Sequence, residues 1–235
     1  MEREAEHMVE QQKSYEHVLT YLEDALRDGK LTLGQSLPPE RELAEQLGIS
    51  RNSVREAVRL LEHMGFLVSS QGAGNFISCN IQRNLQDSFD MLILLQQIDY
   101  HQLAELRSGL ELQAALLAVD RITDSQVDRL DSLVRQMTAC PPEMGAQLDK
   151  QLHDEIAAIS GNQLIIQILR ALSSTIDRFI SDMRRRILQN PRTGNQLQYA
   201  HEQMVDALRR RDKTHLMLAV NHHFNVVNSN MTAEE

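Results

Sequence analysis

Two sets of side chains in this 235-residue chain have the types and spacing to do chemistry. The first begins with Asp149 and His153, four residues apart and so on one face of any helix that contains them. His201 and His223 follow in two later segments of helical pattern, and His223 falls in phase with Leu216, Val220 and Val227, on the side that would face a core. Three imidazoles and one carboxylate converging from three helices would make a site for a divalent transition metal. Taken alone, an Asp/His pair has a plainer reading as surface decoration, so this one depends on convergence. The second set is Arg51, Arg55 and Arg59, spaced by four on one helical face, while Val54, Val58, Leu61 and Met64 form a separate apolar stripe. Such a helix buries one side and presents guanidinium forks on the other, the arrangement that reads base edges in a major groove.

The arginine helix belongs to a recognisable run of elements. Ser50 is placed to cap it, Gly48 to turn the chain before it and Gly65 to close it after Met64, while Glu40 to Leu47 has the pattern of a shorter helix upstream. Tyr15 to Arg27 carries Val18, Leu19, Leu22, Ala25 and Leu26 on one face, which predicts a supporting helix ending at Gly29, with residues 1–13 frayed and solvated. Leu33 to Pro39 reads as an extended connector, because a residue before proline is pushed out of the helical region. Phe66 to Ser70, the glycine-rich turn Gln71 to Gly74, and Asn75 to Ser78 have the pattern of a hairpin. Three helices and a hairpin make a winged helix-turn-helix over residues 1–80.

From about Gln82 the pattern becomes long amphipathic helices: Leu85–Ile98, Gln102–Arg121, Asp124–Thr138, Glu143–Ser160, Gln163–Leu188, Thr193–Arg211 and Lys213–Asn230. Residues 81–235 are thus expected to form an all-helical bundle of six or seven helices, giving a mainly α protein of two domains. Arg184-Arg185-Arg186 and Arg209-Arg210-Arg211 read as solvated helix ends. Cys79 and Cys140 stand in no metal-ligand spacing and read as reduced thiols. No apolar run has the length of a membrane span and the first residues are acidic and polar, so a cytoplasmic protein is expected.

Charge constrains how such a protein would bind DNA. The formal net charge is −9, and residues 1–80 alone hold 8 Lys/Arg against 13 Asp/Glu, a local balance of −5. Charge-driven, sequence-independent binding should therefore be weak, and specific binding must come from local placement of arginine.

The run Gly34-x-x-Leu37-Pro38-x-Glu40-Arg41-x-Leu43, followed by Ser50-Arg51, by Arg55-Glu56-Ala57 and by a Gly-Phe-Leu exit into QGAGNFIS, resembles the GntR family of bacterial transcription regulators. The helical remainder resembles the FadR-type subgroup with its FCD effector domain. Pro39 departs from the serine common at that position, which loses a possible cap. The resemblance implies a DNA-facing set of Arg41, Arg51, Arg55 and the wing tip Gly72 to Gly74. Ser50, Asn52 and Ser53, at the start of the same helix, could reach phosphates or neighbouring bases, and Arg59 reads instead as a solvated or ion-paired bystander. It also implies a homodimer on a palindromic double-stranded operator.

For the second half, the resemblance implies that Asp149, His153, His201 and His223 bind a divalent metal, zinc first, with nickel, iron or manganese as other candidates. The string from Asp149 through Ile156 to Ser160-Gly161-Asn162 fits this, with Leu152 where an aromatic is more usual. His222 competes with His223 as the last ligand, and helical phase favours His223. Arg107 resembles the arginine that family members place over the cavity, where it would pair with a small carboxylate effector. Its other reading is a helix-surface ion pair with Glu111.

The expected function is a ligand-responsive transcription regulator, a repressor, whose operator affinity is set by a small organic acid bound beside the metal. A metalloenzyme using the same Asp/His site is the alternative, though no general base stands at an identifiable spacing. A purely structural helical adaptor leaves the arginine face without a purpose.

Overall fold

The protein is described here from a computed structural model, which covers the backbone of residues 2–138 and 140–230 and their side chains from Tyr15 onward, except at 142, 143, 176, 178–183, 185 and 186. The chain divides into two compact units, Met1–Asn84 and Leu85–Glu235.

The first unit contains α1 (Glu2–Arg27), α2 (Glu40–Leu47), α3 (Arg51–His63), β1 (Leu67–Ser70) and β2 (Gly74–Ile77). The helix expected from Tyr15 continues back to Glu2, so the backbone of the first residues is helical rather than frayed. Val18, Leu22 and Ala25 of α1, Leu43 and Ala44 of α2, and Val54, Ala57, Val58 and Leu61 of α3 share one core with Leu37, Leu67 and Ile77. Ser50 caps α3 as its type suggests, accepting from Ser53 N at 3.0 Å, whereas α2 starts at Pro39 without a side-chain cap and relies on Glu40 and Glu42 at its positive end. Gly48 ends α2 in the left-handed conformation at φ 66°.

Strands β1 and β2 pair antiparallel with Leu67 opposite Ile77. The connector expected to be merely extended joins them: Leu37 N donates to Asn75 O at 2.7 Å, Ile77 N to Gln35 O at 2.8 Å, and Ser36 bridges Phe76. This pairing ties the root of the hairpin to the residues that lead into α2. Gly65 is equally constrained. At φ 78° a side chain is strained there, and an added Cβ would lie 2.1 Å from Asn80 O, inside any contact distance.

The second unit is helical: α4 (Gln82–Leu94, entered from the first unit), α5 (Tyr100–Val119), α6 (Asp124–Met137), α7 (Pro142–Ile159), α8 (Gln163–Gln189), α9 (Pro191–Arg210) and α10 (Lys213–Ser229). Their boundaries follow local chemistry. Asp99 with Gln102 and Thr123 with Gln126 form reciprocal capping boxes, and Asn162, Asn190 and Asp212 cap α8, α9 and α10. A large core collects Ala118 and Ile122, Leu130 and Val134, Leu152 and Ile156, Met204 and Leu208, and Leu216 and Val220. Arg211 departs from the expected solvated end. Its guanidinium reaches Val119 O at 3.2 Å and Ile122 O at 2.8 Å, satisfying carbonyls at the end of α5. No helix among the described residues is long and apolar enough to cross a membrane.

Candidate metal centre and nucleic-acid interface

Helix α7 contributes Asp149 and His153 from adjacent turns, α9 contributes His201 and α10 contributes His223. All four are buried, and one ligand atom from each lies within 4.8 Å of the others. The three imidazoles stand close, with ring centroids 4.7 Å apart for His153 and His223, 4.8 Å for His201 and His223, and 5.8 Å for His153 and His201. The phase argument between neighbours is decided by the fold: His223 is turned into the cluster and His222 is exposed.

Two buried ion pairs hold this cluster. Glu111 of α5 takes Arg107 Nε on one oxygen and His153 Nδ1, at 2.5 Å, on the other. Arg184 of α8 donates from Nη1 to Asp149 Oδ1 at 2.6 Å, and His201 Nε2 lies 3.0 Å from the same oxygen without hydrogen-bond alignment. Arg107 is therefore not in a surface pair; its partner is the expected Glu111, but both side chains are buried. Arg184, expected at a solvated helix end, is 7% exposed, because it supplies the charge that Asp149 requires inside the bundle. Arg185 and Arg186 lie outside the described side chains.

Electrostatics separate the groups. Burial by itself would raise the Glu111 carboxyl, but the Arg107 guanidinium and the His153 ring outweigh it and push it down to about 2. Asp149 likewise overcomes burial through Arg184 and His201 and sits well below the usual carboxylate range. Burial lowers His201, opposed in part by Asp149, and it lowers His223 strongly with help from His153 and His201. His153 is raised, because Glu111 outweighs its burial.

These residues fit a metal. His153 Nε2, both ring nitrogens of His201 and His223 Nδ1 are buried with no hydrogen-bond partner. An unmet buried polar group costs on the order of 1–3 kcal/mol, so a cluster of them in one packed core needs a compensating ligand. Neutral imidazole nitrogens and an ionised carboxylate are what a borderline divalent cation takes. The Glu111 contact further orients His153, presenting Nε2 inward while Nδ1 is engaged. A cavity of about 10 Å³ beside Glu111 and His153, also lined by Ala114, Ile156, Met204 and Val220, has room for one water.

In the first unit, Arg41, Arg51, Asn52 and Arg55 are exposed. A groove of about 660 Å³ runs between Pro38 to Arg41, Arg51 and the turn Ser70 to Asn75, where Gly72 and Gly74 adopt φ of 78° and 101°. Several of these arginines are already held by acids: Arg41 by Glu45 at 3.1 Å, Arg55 by Glu40 at 3.3 Å and Arg59 by Glu56 at 2.9 Å. Ser50 and Ser53 share a hydroxyl contact at 2.8 Å, so Ser50 is first of all the cap of α3.

The residues that sequence reasoning missed are the outer partners. Glu111 was visible only as the companion of Arg107, although Ala104, Arg107, Glu111, Ala114 and Ala118 fall on one buried stripe of α5. Arg184 carried one signal, its position three residues before Ile187, which is 1% exposed.

Comparison with known proteins places both halves. The model described as bacterial regulatory proteins, gntR family, matches residues 14–77, and the FCD domain model matches residues 102–226. An Escherichia coli K12 protein named for regulation of the L-lactate dehydrogenase operon is 30% identical over 213 residues, covering 88% of this chain and 82% of its own. The HTH-type transcriptional regulator LutR of Bacillus subtilis is 27% identical across 78% of this chain and 85% of its own. A solved structure, Streptococcus agalactiae GntR, shares the fold with a TM-score of 0.62 at 24% identity, over 93% of this chain and 99% of that one. These relatives are regulators and not enzymes, which sets the metalloenzyme alternative aside. With a winged helix-turn-helix followed by a matched FCD domain, the chain belongs to the GntR family of bacterial transcription regulators, in the group that carries an FCD domain.

Proposed function

We propose that the protein is a ligand-responsive repressor, acting in the cytoplasm as a homodimer on a palindromic operator, and that a small organic acid bound in the metal-containing second half lowers its hold on DNA. Residues 1–80 are the reading head and 81–235 the effector and dimerisation half. The observation that carries this reading is the buried Asp149, His153, His201 and His223 cluster with its partnerless ring nitrogens. Those four residues would hold a divalent cation, zinc first among the candidates, and the cation would supply Lewis acidity for a carboxylate. Arg107 adds a guanidinium on the Glu111 side of the centre, and its fork suits the same acid.

In the reading head, Arg41, Arg51 and Arg55 meet the major groove, with Ser50, Asn52 and Ser53 at the start of α3 near the phosphates. Gly72 and Gly74 bring the turn backbone close to the duplex. The acids beside Arg41 and Arg55 suit a protein that discriminates rather than one that binds any duplex.

The relative named for an L-lactate dehydrogenase operon makes L-lactate the first acid to try. The test is fluorescence anisotropy of the zinc-loaded protein on its own promoter region and on random DNA, with and without L-lactate and other small carboxylates. The expected result is a salt-dependent preference for the promoter that an acid reduces only when zinc is present. Equal binding to both duplexes would remove the operator reading, and indifference to every acid would remove the effector reading.

A further inference from the structure

The arginines of the reading head are held in two different ways. Arg59 is tied to Glu56 within α3 and Arg41 to Glu45 within α2, and those acids are 49% and 68% exposed. Arg55 instead reaches across to the other helix: its Nε donates to Glu40 Oε2 at 3.3 Å, and the Glu40 side chain is 27% exposed. A pair of this kind adds little to stability, so its importance lies in what it does to the guanidinium.

Glu40 is a firm anchor. It opens α2 directly after Pro38 and Pro39, whose rings restrict the backbone, and its place at the positive end of the helix favours the ionised carboxylate. Leu37, just before those prolines, is buried and its N–H donates to Asn75 O of β2. Glu40 is thereby tied to the hairpin through its own backbone and to α3 through Arg55.

A guanidinium presents two donor edges, Nε with one Nη, and the two terminal Nη nitrogens together. The bond from Nε to Glu40 leaves the terminal pair for another partner. Guanine carries the acceptors O6 and N7 side by side on its major-groove edge, which suits that pair, whereas adenine offers one acceptor beside a donor. An untethered arginine gives up rotamer freedom when it docks, and its loose fork also settles on phosphates; a fork held beforehand loses less and discriminates more.

We propose that Glu40 is a positioning residue that aims the terminal fork of Arg55 at one guanine of the operator, through its reach to Nε rather than through its charge. This rests on the DNA-reading role given to Arg55 above, and it adds the residue that fixes that arginine and the base pair it selects.

The test uses the full-length protein as wild type, Glu40→Gln, Glu40→Asp, Arg55→Ala and the double variant Glu40→Asp with Arg55→Ala. Fluorescence anisotropy is measured on its own promoter region, on random DNA and on promoter duplexes in which each G·C pair in turn becomes A·T, with a circular dichroism melt of every variant. One pair is expected whose change weakens the wild type roughly tenfold but Arg55→Ala by less than about threefold. Glu40→Gln keeps the length and an acceptor oxygen, and should retain most of that discrimination. Glu40→Asp keeps the charge but is one methylene shorter, and should reduce the discrimination to within about threefold with the melt unchanged. In the Arg55→Ala background it should have no further effect. Discrimination kept in Glu40→Asp, discrimination lost equally in Glu40→Gln, or a further loss in the double variant would each overturn the proposal. Wild type that prefers its promoter but shows no guanine whose effect needs Arg55 overturns this inference and leaves the operator reading standing, whereas wild type that binds promoter and random DNA equally overturns the operator reading together with it.

Discussion

Replacing Glu111 by glutamine tests the buried centre most directly. The side chain keeps its size and can still face Arg107 and His153, but it loses the charge that both of them use. In protein stripped of metal, the carboxyl drops from an ordinary 4.5 to about 2 on folding. A depression of that size corresponds to roughly 3 kcal/mol of native-state stabilisation at about 1.4 kcal/mol per pH unit. The sign follows from the direction: the contribution is complete above the unfolded value near 4.5 and fades as pH falls toward 2. Urea unfolding followed by helical circular dichroism in chelator should therefore show Glu111→Gln destabilised by about 2–4 kcal/mol at pH 7, since a lone buried guanidinium is left behind. The gap between the two proteins should narrow steadily as pH is lowered from 4.5. A second readout is independent of stability. Loss of a carboxylate that orients a metal-binding histidine typically costs 10–100-fold in metal affinity, so zinc should bind more weakly by that factor in a competition titration. Equal stability of the two proteins at pH 7, or a gap that does not change with pH, would refute the electrostatic account, and unchanged zinc affinity would refute the orienting role of Glu111.

Arg51→Ala and Arg55→Ala should each leave helicity and melting unchanged while lowering preference for the operator by roughly 1–3 kcal/mol, read as anisotropy on operator against random DNA. Leu61→Ala empties a fully buried position of the first unit and should cost about 2–5 kcal/mol of its stability in denaturant titration. Gly65→Ala should destabilise the same unit by more than the usual glycine replacement, because the methyl would meet Asn80 O at 2.1 Å; a melting temperature equal to wild type would show that the exit from α3 has another conformation. His201→Ala should abolish stabilisation by added zinc in a thermal-shift assay without unfolding the protein, since it removes a proposed ligand along with two unmatched nitrogens.

Helices were legible because their signals are local. Thr123 with Gln126, Asn162 and Asp212 are capping residues beside apolar stripes, and they set the starts of α6, α8 and α10 within a residue or so of the expected places. The pairing of Gln35 and Leu37 with the hairpin was not legible, because it uses backbone groups of residues that carry no alternation and are interrupted by proline. In the second half, helical phase was enough to turn His223 inward and His222 outward. The ion pairs behind the cluster were hidden for a different reason. A charged residue on a helix is ordinarily a solvated one, and Arg184 looks no different from its neighbours until Asp149, 35 positions away, is brought beside it.

Both candidate sites pair arginines with acids, Arg41 and Arg55 in one and Arg107 and Arg184 in the other, and depth makes that pairing work differently in each. On the reading head, Arg41, Arg55 and Arg59 sit in exposed pairs of the kind worth about 0–1 kcal/mol, so a phosphate can displace Glu45 or Glu40 at little cost. Under the proposed reading, such pairs would not block binding; they would weaken the attraction that any duplex would otherwise feel and leave geometry to decide. In the bundle, the Arg107–Glu111 and Arg184–Asp149 pairs are buried, and separating either without replacement would strand a charge at a cost of several kcal/mol. Only a ligand that brings compensating charge and matching acceptors can rearrange them. Under the proposed effector reading, an acid that left either arginine unpaired would be opposed by that penalty, which falls on α5 and α8, the helices that carry Arg107 and Arg184.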